Sequence, residues 1–144
     1  MTNVKTVICT ISAVIGGMIA KLFGGWTEDM ITLIMLMAID FIMGLVVAGV
    51  FHNSNKSQTG ALNSHAGWLG LCKKGTILLF VLVAHRLDIL LGADYIRTAT
   101  IIGFIANEFI SIIENAGLMG IKLPSVVINA IEILKHKSEN NNKE

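Results

Sequence analysis

Four apolar runs, each close to twenty residues long and separated by short polar breaks, constrain this chain more than any other feature. They cover about 6–25, 30–51, 75–92 and 96–113. At about 1.5 Å of rise per residue, a helix of roughly twenty residues crosses the hydrocarbon core of a bilayer. The expected fold class is therefore all-α: an integral membrane protein of about four transmembrane helices, or three if the fourth run lies on the membrane surface. Composition agrees, with 53% of residues hydrophobic, 15% charged and a single proline, where a soluble domain carries about 25% charge.

Several function classes fall away. A net charge of +1 creates no strong field for nucleic acid or an acidic substrate. Cys9 and Cys72 are far apart and lack zinc or redox spacing. No nucleophile motif, phosphate loop or dinucleotide turn is present, so neither enzymatic activity nor a cofactor is expected. His85 and Asp88 stand one turn apart without a third ligand, so no metal site is expected either.

Along the first run, Ser12, Gly16, Ala20 and Gly24 recur every fourth residue, a helix-packing face on which another backbone can approach closely. Trp26 to Asp29 form an acidic turn with an interfacial tryptophan. The second run has one charge, Asp40, near its middle, with Gly44 and Ala48 on the same face. His52 to Cys72 is a polar loop without Asp or Glu, closed by Lys73-Lys74, and 61–71 is a candidate interfacial helix within it. The third run ends in His85, Arg86 and Asp88. The fourth carries Asn107 and Glu108, and its stripe of Ala99, Gly103, Asn107, Ser111 and Asn115 predicts an inward face.

Domain organisation follows: a helical bundle over 1–122, a short amphipathic helix over 123–137 begun by Pro124, and a disordered tail over 138–144. The amino end, the second-to-third loop and the tail hold eight lysines, against Lys21, Arg86 and Arg97 on the other side and its flanks. The positive-inside rule then puts both termini in the cytoplasm. Three spans would leave the basic tail outside.

A charge at the bilayer centre costs about 2.5–3.5 kcal/mol or more, so Asp40, Arg86, Asp88 and Glu108 need partners. Estimated depths suggest Asp40 with Arg86, and place Glu108 near Lys74.

Asp40 to Gly44 form an Asp-x-x-x-Gly signature in mid-span, followed in order by Asn63-Ser64, Gly67, Gly70, Lys73-Lys74, Ala84-His85, Asp88, Glu108, Ser111, Glu114-Asn115, Gly120 and Pro124. In these residues, over about 30–135, the chain resembles the phage holin family that includes the clostridial toxin-release holins. It departs from members with two adjacent loop serines by having Asn63-Ser64. The resemblance implies homo-oligomers in the bacterial cytoplasmic membrane. These open lesions that release an endolysin, a peptidoglycan hydrolase, or large cargo such as toxins. The implied partners are thus the lipid bilayer, further copies of the chain and that hydrolase, with no nucleic acid. Asp40, Gly44, His85, Arg86, Asp88, Asn107, Glu108 and Ser111 would serve the intramembrane assembly, and the motif from Asn63 to Lys74 the loop. The competing readings are a small proton-coupled exporter, using Glu108 or Asp40, and a membrane anchor subunit of a larger complex.

Overall fold

The computed structural model describes residues 3–56, 58–130 and 132–133. They form four long helices: α1 (Val4–Leu22), α2 (Glu28–Gly49), α3 (Ser64–Leu91) and α4 (Ile96–Leu118). No strand occurs among the described residues. A further helical stretch, 125–130, follows Pro124, whose carbonyl accepts from the N–H groups of Val127 and Ile128. Leu123 and Val127, both on the apolar side expected for this helix, are half-buried. The remainder of the expected amphipathic helix at 131 and 134–137, and the tail 138–144, lie outside the described residues.

The helix ends follow from local chemistry. Glu28 and Asp29 occupy the first turn of α2, where negative charge meets the positive end of the helix dipole. Asn63 caps α3 by accepting the His65 N–H at 2.9 Å. Gly92 stops it in the left-handed conformation, φ +64°. Because Asn63 starts a helix, the expected loop is shorter than the acid-free segment. The candidate interfacial helix and the third run are one continuous α3, and Lys73-Lys74 lie well inside it rather than at its edge. Gly67 and Gly70 weaken a helix by about 1 kcal/mol each relative to alanine, too little to break a helix of 28 residues anchored by its second half.

α4 is the central helix. It packs along both α2 and α3, which barely touch one another. Met30, Leu33 and Met37 of α2, Val81 of α3 and Ile101 of α4 form the apolar core. The inward residues fall at steps of three, four or seven: Met30, Leu33, Met37, Asp40 and Val47 on α2, Val81, Ala84 and Asp88 on α3, Arg97, Ile101, Glu108 and Asn115 on α4. This corrects the expected inward stripe of α4. Ala99, Gly103 and Asn107 are exposed, Ser111 is half-buried, and Asn115 is buried. A strict spacing of four advances 400° per step and drifts off the seam, whereas mean spacing near 3.5 stays on it.

The α3–α4 turn and the α1–α2 turn are tied together at one end of the bundle. Asp88 accepts the backbone N–H groups of Ile96 and Arg97, both at 2.9 Å, satisfying two of the unpaired donors at the start of α4. The Arg97 guanidinium donates to the carbonyls of Phe23 and Gly25 and to the Thr27 hydroxyl, and lies 3.8 Å from Asp29. The backbone of Gly24 passes against His85: a Cβ there would stand 2.7 Å from the imidazole, and its φ is +78°. Beyond this joint α1 has no buried residue and no extensive contact with another helix. On its small face Ser12 is exposed and Gly16 and Ala20 are half-buried, and a Cβ added at Gly16 would meet nothing within 4 Å.

Gly24→Val should strain the turn by about 1–3 kcal/mol and push His85 away. Hydrogen exchange should accelerate at 23–27 while the α2–α4 core keeps its protection. Unchanged exchange throughout would show that the joint does not need a bare backbone.

Candidate functional site

Lys74, on the inward face of α3 two heptads before Asp88, places its Nζ 2.8 Å from Asp40 Oδ2 and 2.5 Å from Glu108 Oε2. Asn115 Nδ2 donates to Asp40 Oδ1 at 2.9 Å and lies 3.4 Å from the Asp40 carbonyl. One side chain from α3 thus joins α2 to α4, and a second contact from α4 completes Asp40. Residue counting explains the register. Asp40 is eleven residues beyond Asp29, and Glu108 eleven beyond Arg97, so both carboxylates lie about 16 Å from the Arg97 joint at 1.5 Å per residue. The apolar core fills the interval between the two polar layers.

The cluster is well shielded. Asp40 and Glu108 are each 6% exposed and Asn115 5%, and the Lys74 side chain is 12% exposed. Among the described residues no buried side-chain N or O lacks a hydrogen-bond partner. Two formally negative groups share one cation in a region where charges are weakly screened, so contact energies are large and removal of any member is costly.

Beside the cluster, α2 and α3 diverge and leave a cleft of about 330 Å³ floored by Asp40, Lys74 and Glu108. Phe41, Leu45 and Ile77 supply apolar wall, and Ser54, Lys56, Asn63, Lys73 and Ser111 supply polar lining. Gly44, Gly67 and Gly70 also border it. Most of the expected loop motif and part of the expected intramembrane set therefore converge on one place: Asp40, Gly44, Asn63, Gly67, Gly70, Lys73, Lys74, Glu108 and Ser111. Ser64 and Asn107 are exposed and are not among the residues lining it. Asp88 and His85 belong to the distant Arg97 joint.

The expected pairing of Asp40 with Arg86 is overturned, because Lys74 holds Asp40. Arg86 stands two residues from both Ala84 and Asp88, about 200° around the helix from the buried face, and is exposed. The expected proximity of Glu108 to Lys74 holds. Arg97 and Asn115 contribute to the polar layers without standing among the expected site residues. Arg97 counted only towards topology and Asn115 only towards a stripe and a motif, although Ile101, Glu108 and Asn115 recur every seventh residue. Among the described residues, no group of three or more potential ligands could hold a metal.

Of the helices, α1, α2 and α4 are long and apolar enough to cross a membrane. α3, with 28 residues, has the length and carries the ionic side chains. Together these define a multi-pass helical membrane protein with an ionic layer inside its bundle. The chain belongs to the bacteriophage holin family, whose model matches residues 17–136. A Bacillus phage phi105 protein named "Probable holin" is 31% identical over 112 residues, covering 77% of this chain and 76% of that protein. An uncharacterized protein of Halalkalibacterium halodurans is 38% identical, covering 86% of this chain and 90% of its own length. An uncharacterized 14.9 kDa protein of Clostridium perfringens is 33% identical, covering 85% and 89%. No solved structure matches. The family points to a non-enzymatic membrane protein with a holin role.

Lys74→Met should destabilise the bundle by about 3–5 kcal/mol, read as the unfolding midpoint in mixed micelles. Adding Asp40→Asn and Glu108→Gln should recover most of that loss, because the stranded charges go with the cation. Arg86→Gln should stay within about 0.5 kcal/mol of the parent. Equal effects at Lys74 and Arg86 would refute the assignment.

Proposed function

We propose that copies of this chain accumulate in the bacterial cytoplasmic membrane, associate, and open lesions that let an endolysin or other large cargo out. The carrying observation is the buried ionic layer of Asp40, Lys74, Glu108 and Asn115 in a chain of holin ancestry. Such a layer gives the bundle two stable arrangements. In one, each molecule satisfies its own polar groups. In the other, those groups face water in an opening bounded by several copies. Hydrophobic burial does not drive helices together in lipid, so close backbone packing must. α1 supplies it: Ser12, Gly16 and Ala20 form a small-residue face on a helix that has no buried residue among those described. Both termini are assigned to the cytoplasm from the lysine distribution.

The chain expressed alone under an inducible promoter should show a delay. An abrupt collapse of membrane potential should follow, with escape of a folded cytoplasmic reporter. Lys74→Met, which weakens the closed arrangement, should shift the onset. Proton movement coupled to a small substrate without reporter escape would support an exporter instead. A harmless chain that co-purifies with one fixed partner would support an anchor subunit.

A further inference from the structure

Three helical glycines border the cleft between α2 and α3, and the monomer gives no reason for any of them. Gly44, Gly67 and Gly70 have ordinary helical backbone, and a Cβ at each would meet nothing within 4 Å. They relieve no clash and adopt no special conformation. Each weakens its helix relative to alanine, and their joint effect is to keep the cleft open. Its volume of about 330 Å³ is in the range of a small-molecule site and well short of a helix.

The lining says what would fit. Phe41, Leu45 and Ile77 offer an apolar wall, while Lys56 and Lys73 line the polar side. Both lysines are exposed and neither has an ion-pair partner among the described residues. The segment His52 to Cys72 beside them contains no acidic residue. An ammonium has three N–H donors, and Lys74 uses two on Asp40 and Glu108. A hydrocarbon surface meeting unpaired cations at a membrane boundary is complementary to an amphiphile with an anionic head.

We infer that the α2–α3 cleft binds one anionic phospholipid, its phosphate held by Lys56 and Lys73 and the start of an acyl chain lying along Phe41, Leu45 and Ile77. The inference rests on the membrane setting and the cleft, and not on lesion formation. Lipid binding and reporter release can therefore fail independently.

The test uses the full chain, reconstituted in vesicles of equal phosphatidylglycerol and phosphatidylcholine, then extracted and weighed intact with its retained lipid. The parent should retain phosphatidylglycerol preferentially. Lys56→Gln and Lys73→Gln should each reduce that preference about fivefold, the factor for one basic side chain near an anionic surface. Gly67→Leu with Gly70→Leu should fill the cleft and abolish retention while helical content by circular dichroism stays at the parent level. Glycerol phosphate in large excess should not displace the lipid. Equal retention of the two lipids would overturn the inference. So would retention that survives both glycine substitutions, displacement by glycerol phosphate (a free-phosphate site), or glycine substitutions that alter only the oligomeric state (a second copy in the cleft).

Discussion

One ammonium shared between two carboxylates inside a membrane bundle is the interaction on which the rest of the structure depends. Lys74 reaches Asp40 on α2 and Glu108 on α4, and without it two acidic side chains would face each other in a medium that screens charge poorly. Asn115 completes the other oxygen of Asp40. The layer does more than neutralise charge. It fixes the axial register of three helices, because only one alignment brings residues eleven beyond Asp29 and eleven beyond Arg97 to the same lysine. The Arg97 joint fixes the same register a second time at the other end, and the apolar core occupies the length between.

This two-layer construction explains how the parts of the bundle differ. α4 contributes to both layers and packs on both neighbours. α2 and α3 meet mainly through it and splay apart where glycines replace larger side chains, which opens the cleft directly over the ionic floor. Among the described residues α1 contributes nothing to the inner layer and is tied in at the turn after it, where Arg97 binds the Phe23 and Gly25 carbonyls and Gly24 lies against His85. Among the described residues, the chain thus contains a three-helix unit whose buried polar groups are satisfied and an apolar helix with no buried residue.

Much of this was legible in the residues. The apolar runs declared the helices, and the holin resemblance rested on a sequence of small and charged residues that the fold draws largely into one cleft. Where the structure departs from the sequence pattern, each departure has its own physical cause. Depth alone pairs Asp40 with Arg86, because it ignores the direction in which a side chain leaves its helix. A two-residue offset from Ala84 and Asp88 turns Arg86 to the opposite face. Lys73-Lys74 looked like the end of a loop because basic pairs often mark membrane boundaries, while the helix start at Asn63 was set by a short-range cap. A stripe at spacing four drifts around α4, whereas the buried face follows the seven-residue recurrence of Ile101, Glu108 and Asn115.

The most direct measurement is of the shared ammonium in lipid. Solid-state NMR of the chain in bilayers can recouple the Lys74 side-chain ¹⁵N, identified by its loss in Lys74→Arg, with the side-chain carboxyl ¹³C of Asp40 and of Glu108. Both carbons should lie within about 4 Å of that nitrogen, the ion-pair range. Coupling to neither carboxyl group, or to Asp40 from Arg86 in place of Lys74, would contradict it.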